Sequence, residues 1–422
     1  MVSSSWNTQA AYARDLATFL TFLWTGRDCV DWKSATAEDH LAYRAWRRLD
    51  DHGPRVAAST WDREVAAVNR FYSWQVKVGA IDANPLPQRA IRYGLYGVSP
   101  GSAPAAAPAT YTHGASRERI EWLTAEQYRL WRQVGMCGYT ASGVADVGFR
   151  GRWATRNALF CDVMVRTGLR LSEQSALTVF DIPGNAGGAY QRFWLPAAIA
   201  KGGSARWVYL PRHLVRELAQ YGELDRAQVL DDRPARIKLR GKSDWLVVED
   251  PARPVATGVG HRSVKVEHLT PQERHRLLVA GEDGLEPAAW WLTERGEPMA
   301  TASWQGVFRQ ANKRCRDTGV DIRVNPHMLR HTFAVTTLEQ LQRGHLKALG
   351  ELDVWQREHY VRIFGDPLDW VRRRLGHRSV TTTQIYLHAL QELEMETRLA
   401  LIPPDIEDPA ELLMLTGDDG AA

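Results

Sequence analysis

The chain has 422 residues and a mass of 47.6 kDa, with 53 Lys and Arg against 49 Asp and Glu and a formal charge of +4. That length predicts two or three domains with enough chain for buried cores. Hydrophobic residues at 44% and charged residues at 24% exclude wholesale disorder, collagen and coiled coil.

Residues 1–96 read as a small helical domain. Leu16, Phe19, Leu20 and Leu23 recur at helical spacing. Thr36 with Asp39 has the form of a capping box opening a second helix near Leu41. A third helix starts at Thr60 with Val65, Val68, Phe71 and Tyr72 as its apolar face, and Gly79 and Asn84-Pro85 close the region. Arg63, Arg70 and Lys77 recur every seven residues, hence on one side of that helix, with Trp74 nearby. Together with Arg55 they form a basic face that reads either as a nucleic-acid contact or as a solvated charged surface.

Residues 97–117 are rich in Ala, Pro, Gly and Ser and read as an exposed linker. A second domain is expected over 118–401. Thr124 with Gln127 caps its first helix, and residues 153–167 form another that ends at Gly168. Arg192–Ile199 and Ala205–Leu210 predict two strands around a turn at Lys201-Gly202-Gly203. Residues 222–285 are polar, interrupted by Pro and Gly and poorly periodic, which reads as an insertion. Helices follow over Trp304–Cys315, His327–Leu338, Leu368–Leu375 and Thr381–Leu401. The fold class expected is mainly α with a small antiparallel sheet.

The tail, 402–422, carries a short apolar run, Leu412 to Leu415, among acidic residues. Residues 391–422 hold 9 acidic residues and one Arg, so residues 1–390 carry 52 basic against 40 acidic, a net of +12. The charge therefore describes a basic body with an acidic tail, whose expected partner is a basic protein surface.

No apolar run reaches the roughly 18 residues of a membrane span, so no membrane partner is expected. No basic segment leads into an apolar leader, so no secretory signal is expected either. Four scattered cysteines without a CxxC pair read as reduced residues in a cytoplasmic protein, not as a zinc site. His327 and His331 are four apart, but residue 328 is Met, so this is not HExxH. Gly241-Lys242 lacks the P-loop glycine, since position 236 is Arg. Neither a metal nor a cofactor is expected.

Three stretches stand out together: Thr167-Gly168-Leu169-Arg170-Leu171-Ser172-Glu173, Pro326-His327-Met328-Leu329-Arg330-His331, and Leu375-Gly376-His377 with Tyr386 nine residues on. His327 and Arg330 are three apart, so one helical face presents both. With Lys201 in its glycine-flanked turn, these stretches resemble the tyrosine recombinase (phage integrase) family over most of the chain. The resemblance implies a helical core-binding domain, a linker and an α+β catalytic domain that clamp double-stranded DNA. It implies Tyr386 as nucleophile, forming a 3′-phosphotyrosyl intermediate whose ester bond keeps the energy for rejoining. Arg170 and Arg330 would clamp the phosphate and His377 would donate a hydrogen bond to it. Lys201 would protonate the leaving oxygen, His327 would assist proton transfer with the nucleophile, and Glu173 would support the site by orienting Arg170 or neighbouring groups, without reacting.

Arg372, Arg373 and Arg374 are candidates to hold flanking phosphates. The implied assembly is a homotetramer on two duplexes, passing through a Holliday junction, formed by a protein that is monomeric or weakly associated when free, with a DNA-bending or excision factor as a further partner. On DNA the protein would be nucleoid-associated in a bacterial cytoplasm. A type IB topoisomerase would use the same chemistry, and a catalytically silent DNA-binding regulator would use the same fold. The 47 residues from Arg330 to His377 exceed the compact family pattern, which places an extra helical segment over 337–366.

Overall fold

The computed structural model describes residues 6–90, 106–112, 120–184, 187–232, 245–258, 263–281, 284–351, 366–379 and 381–399. The chain divides into two compact units, Met1–Arg119 and Ile120–Ala422.

The first unit holds helices α1 (Trp6–Gly26), α2 (Ala37–Arg48) and α3 (Ala58–Lys77). The capping box expected at Thr36 and Asp39 forms and sets the start of α2. Phe19, Leu23, Tyr43, Trp61, Val65, Val68 and Tyr72 make the core. Buried Glu64 on α3 accepts from Tyr43 Oη at 2.9 Å and from Arg47 Nε at 2.8 Å, which ties α3 to α2.

Part of the segment read as linker belongs to this unit. Strand β2 (Ala106–Pro108) pairs antiparallel with β1 (Gln88–Ala90). Thr110 is buried, its carbonyl accepting from Trp61 Nε1 at 2.9 Å and its hydroxyl lying 2.8 Å from His40 Nε2. Small and Pro-rich composition signalled exposure, but backbone pairing needs no large side chains.

The second unit opens with α4 (Ala125–Trp131), capped by Thr124 and Gln127 as expected, and α5 (Ala154–Thr167). Short α6 (Leu171–Ser175) follows, then the hairpin of β3 (Tyr190–Leu195) and β4 (Arg206–Pro211), with Trp194 opposite Trp207. β3 stops before the expected end at Ile199, because Pro196 lacks the N–H a ladder needs. Residues 196–205 therefore form a long connection with a 3₁₀ turn at Lys201–Gly203.

Next come α7 (Arg212–Tyr221) and α8 (Ala227–Asp232). Strands β5 (Leu246–Val248), β6 (Val255–Thr257) and β7 (Ser263–Lys265) lead to α9 (Pro271–Arg274), then β8 (Leu277–Gly281) and β9 (Gly284–Pro287). The stretch read as a poorly periodic insertion thus contains a five-stranded sheet in the order β7-β6-β5-β8-β9. Three of its strands have only three residues, too few to show alternation. Arg274 fastens the sheet to the body, donating from a buried guanidinium to Asp181 at 2.6 Å and to the Val266 carbonyl at 3.1 Å.

Helices α10 (Thr301–Asp317), α11 (Pro326–Glu351), α12 (Pro367–Leu375) and α13 (Thr381–Leu399) complete the unit. One core forms around Trp131, Phe160, Trp291 and Trp304, and a second joins Phe333, Leu338, Val371, Leu375 and Tyr386. The fold is mainly helical with small sheets, as the sequence predicts. The segment expected over 337–366 begins as a continuation of α11 to Glu351; residues 352–365 and the acidic tail lie outside the described residues.

Candidate active site

The site is built where three helix ends meet. Helix α5 ends at Gly168, whose φ of 65° is left-handed, and a Cβ there would sit 2.4 Å from the Phe333 ring. Only glycine turns the chain so tightly against α11. The turn places Arg170 at the N-cap of α6, where the Glu173 carboxylate accepts from the Arg170 backbone N–H at 3.0 Å and from its Nη1 at 2.9 Å.

Arg330 on α11 is buried and joins the other ends. Its Nη1 donates to the Gly168 carbonyl, its Nη2 donates to the Leu375 carbonyl at 2.5 Å, and Nη2 lies 3.3 Å from His377 Nε2. Helix α12 ends at Gly376, φ 66°, where a Cβ would meet Ser204 Oγ at 2.8 Å. This close approach sets His377 beside the Lys201 turn. His377 Nδ1 lies 3.0 Å from Thr383 Oγ1, which fits a tautomer with the proton on Nδ1 and Nε2 accepting from Arg330.

Tyr386 lies one turn further along α13, its side chain buried in the second core. Its hydroxyl is 3.0 Å from His331 Nδ1, and its ring is nearly parallel to His377 with centroids 6.3 Å apart. The hydroxyl contact therefore goes to His331, and not to His327, where the sequence placed the proton-transfer partner. Both histidines share one face of α11, four residues apart, with ring centroids separated by 6.5 Å. His327 is exposed and stands in the field of Arg330, Lys201 and Arg170.

Lys201 is exposed at the hairpin tip, and its backbone N–H donates to Glu173 at 3.3 Å. Arg378 steadies the same turn by donating to the Gly202 carbonyl at 2.5 Å. Beneath it, buried Arg206 forks Glu173 with Nη2 at 2.6 Å and Nη1 at 3.3 Å. Sequence reasoning missed His331, Arg206 and Arg378. The inward alternation of β4 was a usable signal for Arg206; His331 was visible only as the neighbour of Arg330.

Electrostatically the site is overcharged. Glu173 compensates Arg170 and Arg206 only in part, and Arg330 and Lys201 have no carboxylate partner among the described residues. Burial, then the nearby arginines, hold His377 down to about 4. Burial, then His327 and Arg330, hold His331 down to about 4. Burial raises the Tyr386 phenol against the opposing pull of Arg330 and Arg170. His377 and His331 are therefore neutral at pH 7, and the surplus charge marks a place for an anion.

The sequence pattern of the phage integrase family matches residues 150–342, and that of the phage integrase N-terminal SAM-like domain matches residues 3–79. The chain belongs to the phage integrase family. Tyrosine recombinase XerC of Pelobacter propionicus is 24% identical over 397 residues, covering 92% of this chain and 87% of its own. Tyrosine recombinase XerD of Corynebacterium glutamicum is 33% identical over 137 residues, covering 31% of this chain and 36% of its own. Among solved structures, the post-cleavage complex of the XerH site-specific recombinase with palindromic difH substrate aligns with 94% of this chain and 80% of that one, at a TM-score of 0.49 and 15% identity.

In this integrase-family enzyme the remaining candidates separate by their contacts. Arg63 is engaged by Asp15 at 2.8 and 2.9 Å, and Arg55 lies before α3, paired with Asp51. Arg70, Trp74 and Lys77 are exposed and follow one another at helical spacing on α3. Arg372 and Arg373 share Asp369 at 2.6 and 2.7 Å. Arg374 is not a free surface cation: its guanidinium packs 3.4 Å from the Tyr209 ring centroid and 4.3 Å from that of Trp370.

Glu173 yields a prediction on stability. Burial alone would raise its pKa, but the charge and hydrogen bonds of Arg206, with the N–H and charge of Arg170, pull it down to about 2. The folded value lies below the ordinary 4.5, so the stabilisation is full above that pH and is lost as pH falls towards 2. The contribution is on the order of 3 kcal/mol. The stability gap between wild type and Glu173→Gln is expected to narrow as pH drops from 5 to 3, read by urea unfolding. Glu173→Ala, which strands Arg206, is expected to cost about 3–5 kcal/mol at pH 7.

Proposed function

We propose that this recombinase cleaves and rejoins duplex DNA through Tyr386, which attacks a phosphodiester to give a 3′-phosphotyrosyl ester and a free 5′ hydroxyl. The observation that carries this reading is the gathering of Arg330, His377 and Tyr386 around one point, beside a carboxylate, Glu173, that also holds Arg170 and the Lys201 turn.

On this reading Arg170 and Arg330 take the non-bridging oxygens, where charge builds in the pentacovalent transition state. Arg330 already presents both nitrogens towards acceptors, and a phosphate would compete for them. An arriving anion also favours protonation of His377, which then donates to it from Nε2. His327, exposed beside Arg330 and Lys201, is assigned to the same phosphate. Lys201, on a turn anchored to Glu173, delivers the proton to the leaving 5′ oxygen. Each step of this scheme is assigned to a protein side chain. No described helix is long and apolar enough to cross a membrane.

Arg70 and Lys77, with Trp74 between them, are the best placed residues of the first unit for DNA contact; in the second, Arg372 and Arg373 share the single carboxylate of Asp369 and so keep one positive charge between them for a phosphate. Arg63 and Arg55 contribute less, because carboxylates already hold them. DNA affinity should fall steeply with salt through counterion release. The assembly proposed is four protomers on two duplexes, passing through a Holliday junction. The target site is found by recovering and sequencing DNA covalently trapped on the enzyme. One enriched sequence is expected, and exchange between two duplexes carrying it distinguishes recombination from relaxation of one.

Lys201 has its own test. Lys201→Ala should slow cleavage of an ordinary phosphodiester by about 10²–10⁴-fold. A substrate with sulfur in place of the bridging 5′ oxygen should restore near wild-type cleavage, because a thiolate, with a pKa of about 8.5, leaves without a proton. A slow Lys201→Ala on both substrates would remove Lys201 as the acid.

A further inference from the structure

We propose that His331 is the general base for Tyr386: its Nδ1 accepts the phenolic proton as the tyrosine oxygen bonds to phosphorus. The inference rests on the reading of Tyr386 as nucleophile and adds a residue to it.

The geometry points to His331 first. Its Nδ1 is 3.0 Å from the Tyr386 hydroxyl, within the reach required of a base. Helix α11 fixes the imidazole, since the next residue, Thr332, is buried and donates to the Met328 carbonyl at 2.9 Å while accepting from the Leu123 N–H at 2.9 Å. The groups facing the pair are His327 and Arg330 on α11 and His377 before α13, with Arg170 acting on Tyr386 from α6. Apart from the phenol itself, none is an anion that would hold His331 protonated. His331 is accordingly neutral at pH 7, its pKa held down to about 4 by burial and then by His327 and Arg330. Neutral imidazole with its proton on Nε2 presents a lone pair at Nδ1, which is what a base needs.

A phenol raised by burial and an imidazole lowered by it do not exchange a proton in the resting site. The transfer therefore accompanies P–O bond formation. The Tyr386 oxygen–phosphorus bond forms, the phosphorus–5′ oxygen bond breaks, the phenolic proton moves to His331, and Lys201 supplies the proton that the 5′ oxygen takes. Charge collecting on the phosphoryl oxygens stabilises the imidazolium as it appears. On rejoining, the 5′ hydroxyl attacks, the Tyr386 phenolate leaves, and His331 returns the proton. Nothing is oxidised or reduced.

The test uses the full chain and a nicked duplex of the recovered site with sulfur at the bridging 5′ position, so that leaving-group protonation does not limit the rate. His331→Asn retains a polar atom near Nδ1 without a base of useful strength. Wild type is expected to form adduct at a rate independent of pH between 6 and 8. His331→Asn should bind DNA like wild type but form adduct about 10²–10⁴-fold more slowly. Its rate should rise about tenfold per pH unit, as hydroxide replaces the lost base. His327→Asn should keep the flat profile. In His331→Ala, added imidazole should restore adduct formation; failure of rescue with intact DNA binding overturns the proposal. So does a flat, wild-type profile for His331→Asn, or the slope appearing in His327→Asn. If Tyr386→Phe still formed adduct, the assignment of the nucleophile would fall instead, so the two failures are distinct.

Discussion

Tyr386→Phe is expected to bind its DNA site like the wild type and to yield no covalent adduct on a nicked substrate from which the 5′ fragment diffuses away. The change removes one oxygen and leaves the ring in place. That ring packs with Phe333, Val371 and Leu375, so the core around α13 keeps its shape. The structural loss is the contact to His331, about 1 kcal/mol for a hydrogen bond of this kind. His331 is then left without its partner, but it is half-buried and water can reach it. Arg170, Arg330 and His377 keep their positions, because none of them depends on the Tyr386 hydroxyl. Gel-shift affinity within a few-fold of wild type, together with an empty adduct lane on a denaturing gel, is the expected pair of results.

Arg330 carries the second large effect, and it divides into chemistry and fold. The guanidinium holds the Gly168 and Leu375 carbonyls and reaches His377, three points no other side chain type joins at once. Arg330→Lys keeps the charge but offers a single nitrogen, so the bidentate grip on a phosphate is lost. Adduct formation is expected to fall by about 10²–10³-fold, the size found when one donor to a developing oxyanion is removed. Arg330→Ala additionally leaves two buried carbonyls without donors, at about 1–3 kcal/mol each. Urea unfolding should therefore show Arg330→Ala clearly less stable than Arg330→Lys, while both lose cleavage. Equal stability of the two variants would contradict the role given to the carbonyl contacts.

Much of the helical fold was legible because helices announce their ends. Thr36 with Asp39 and Thr124 with Gln127 form the boxes their spacing predicts, and Gly168 closes α5 in the left-handed conformation. The five-stranded sheet was not legible, since its three-residue strands are too short for any period to show. Nor was the docking of residues 106–112, which is carried by backbone and threonine contacts that composition does not encode. At the site, the spacing of His327 and Arg330 was visible on α11. Which histidine meets Tyr386 was not, because that depends on where α13 crosses α11. The roles of Arg206 and Arg378 likewise arise from contacts 33 and 176 residues apart in sequence. Among the arginines after Trp370, charge was readable but burial was not, and Arg374 is held by two rings.

The central claim is that one particular tyrosine, of the chain's 13, becomes joined to a 3′ phosphate. It is tested most directly by trapping wild-type adduct on the nicked duplex, digesting protein and DNA, and finding by mass spectrometry which peptide carries the residual nucleotide. A phosphotyrosyl nucleotide on Tyr386, in the peptide from α13, is the expected result. A nucleotide on any other residue, or cleavage that leaves no nucleotide on the protein, would contradict it.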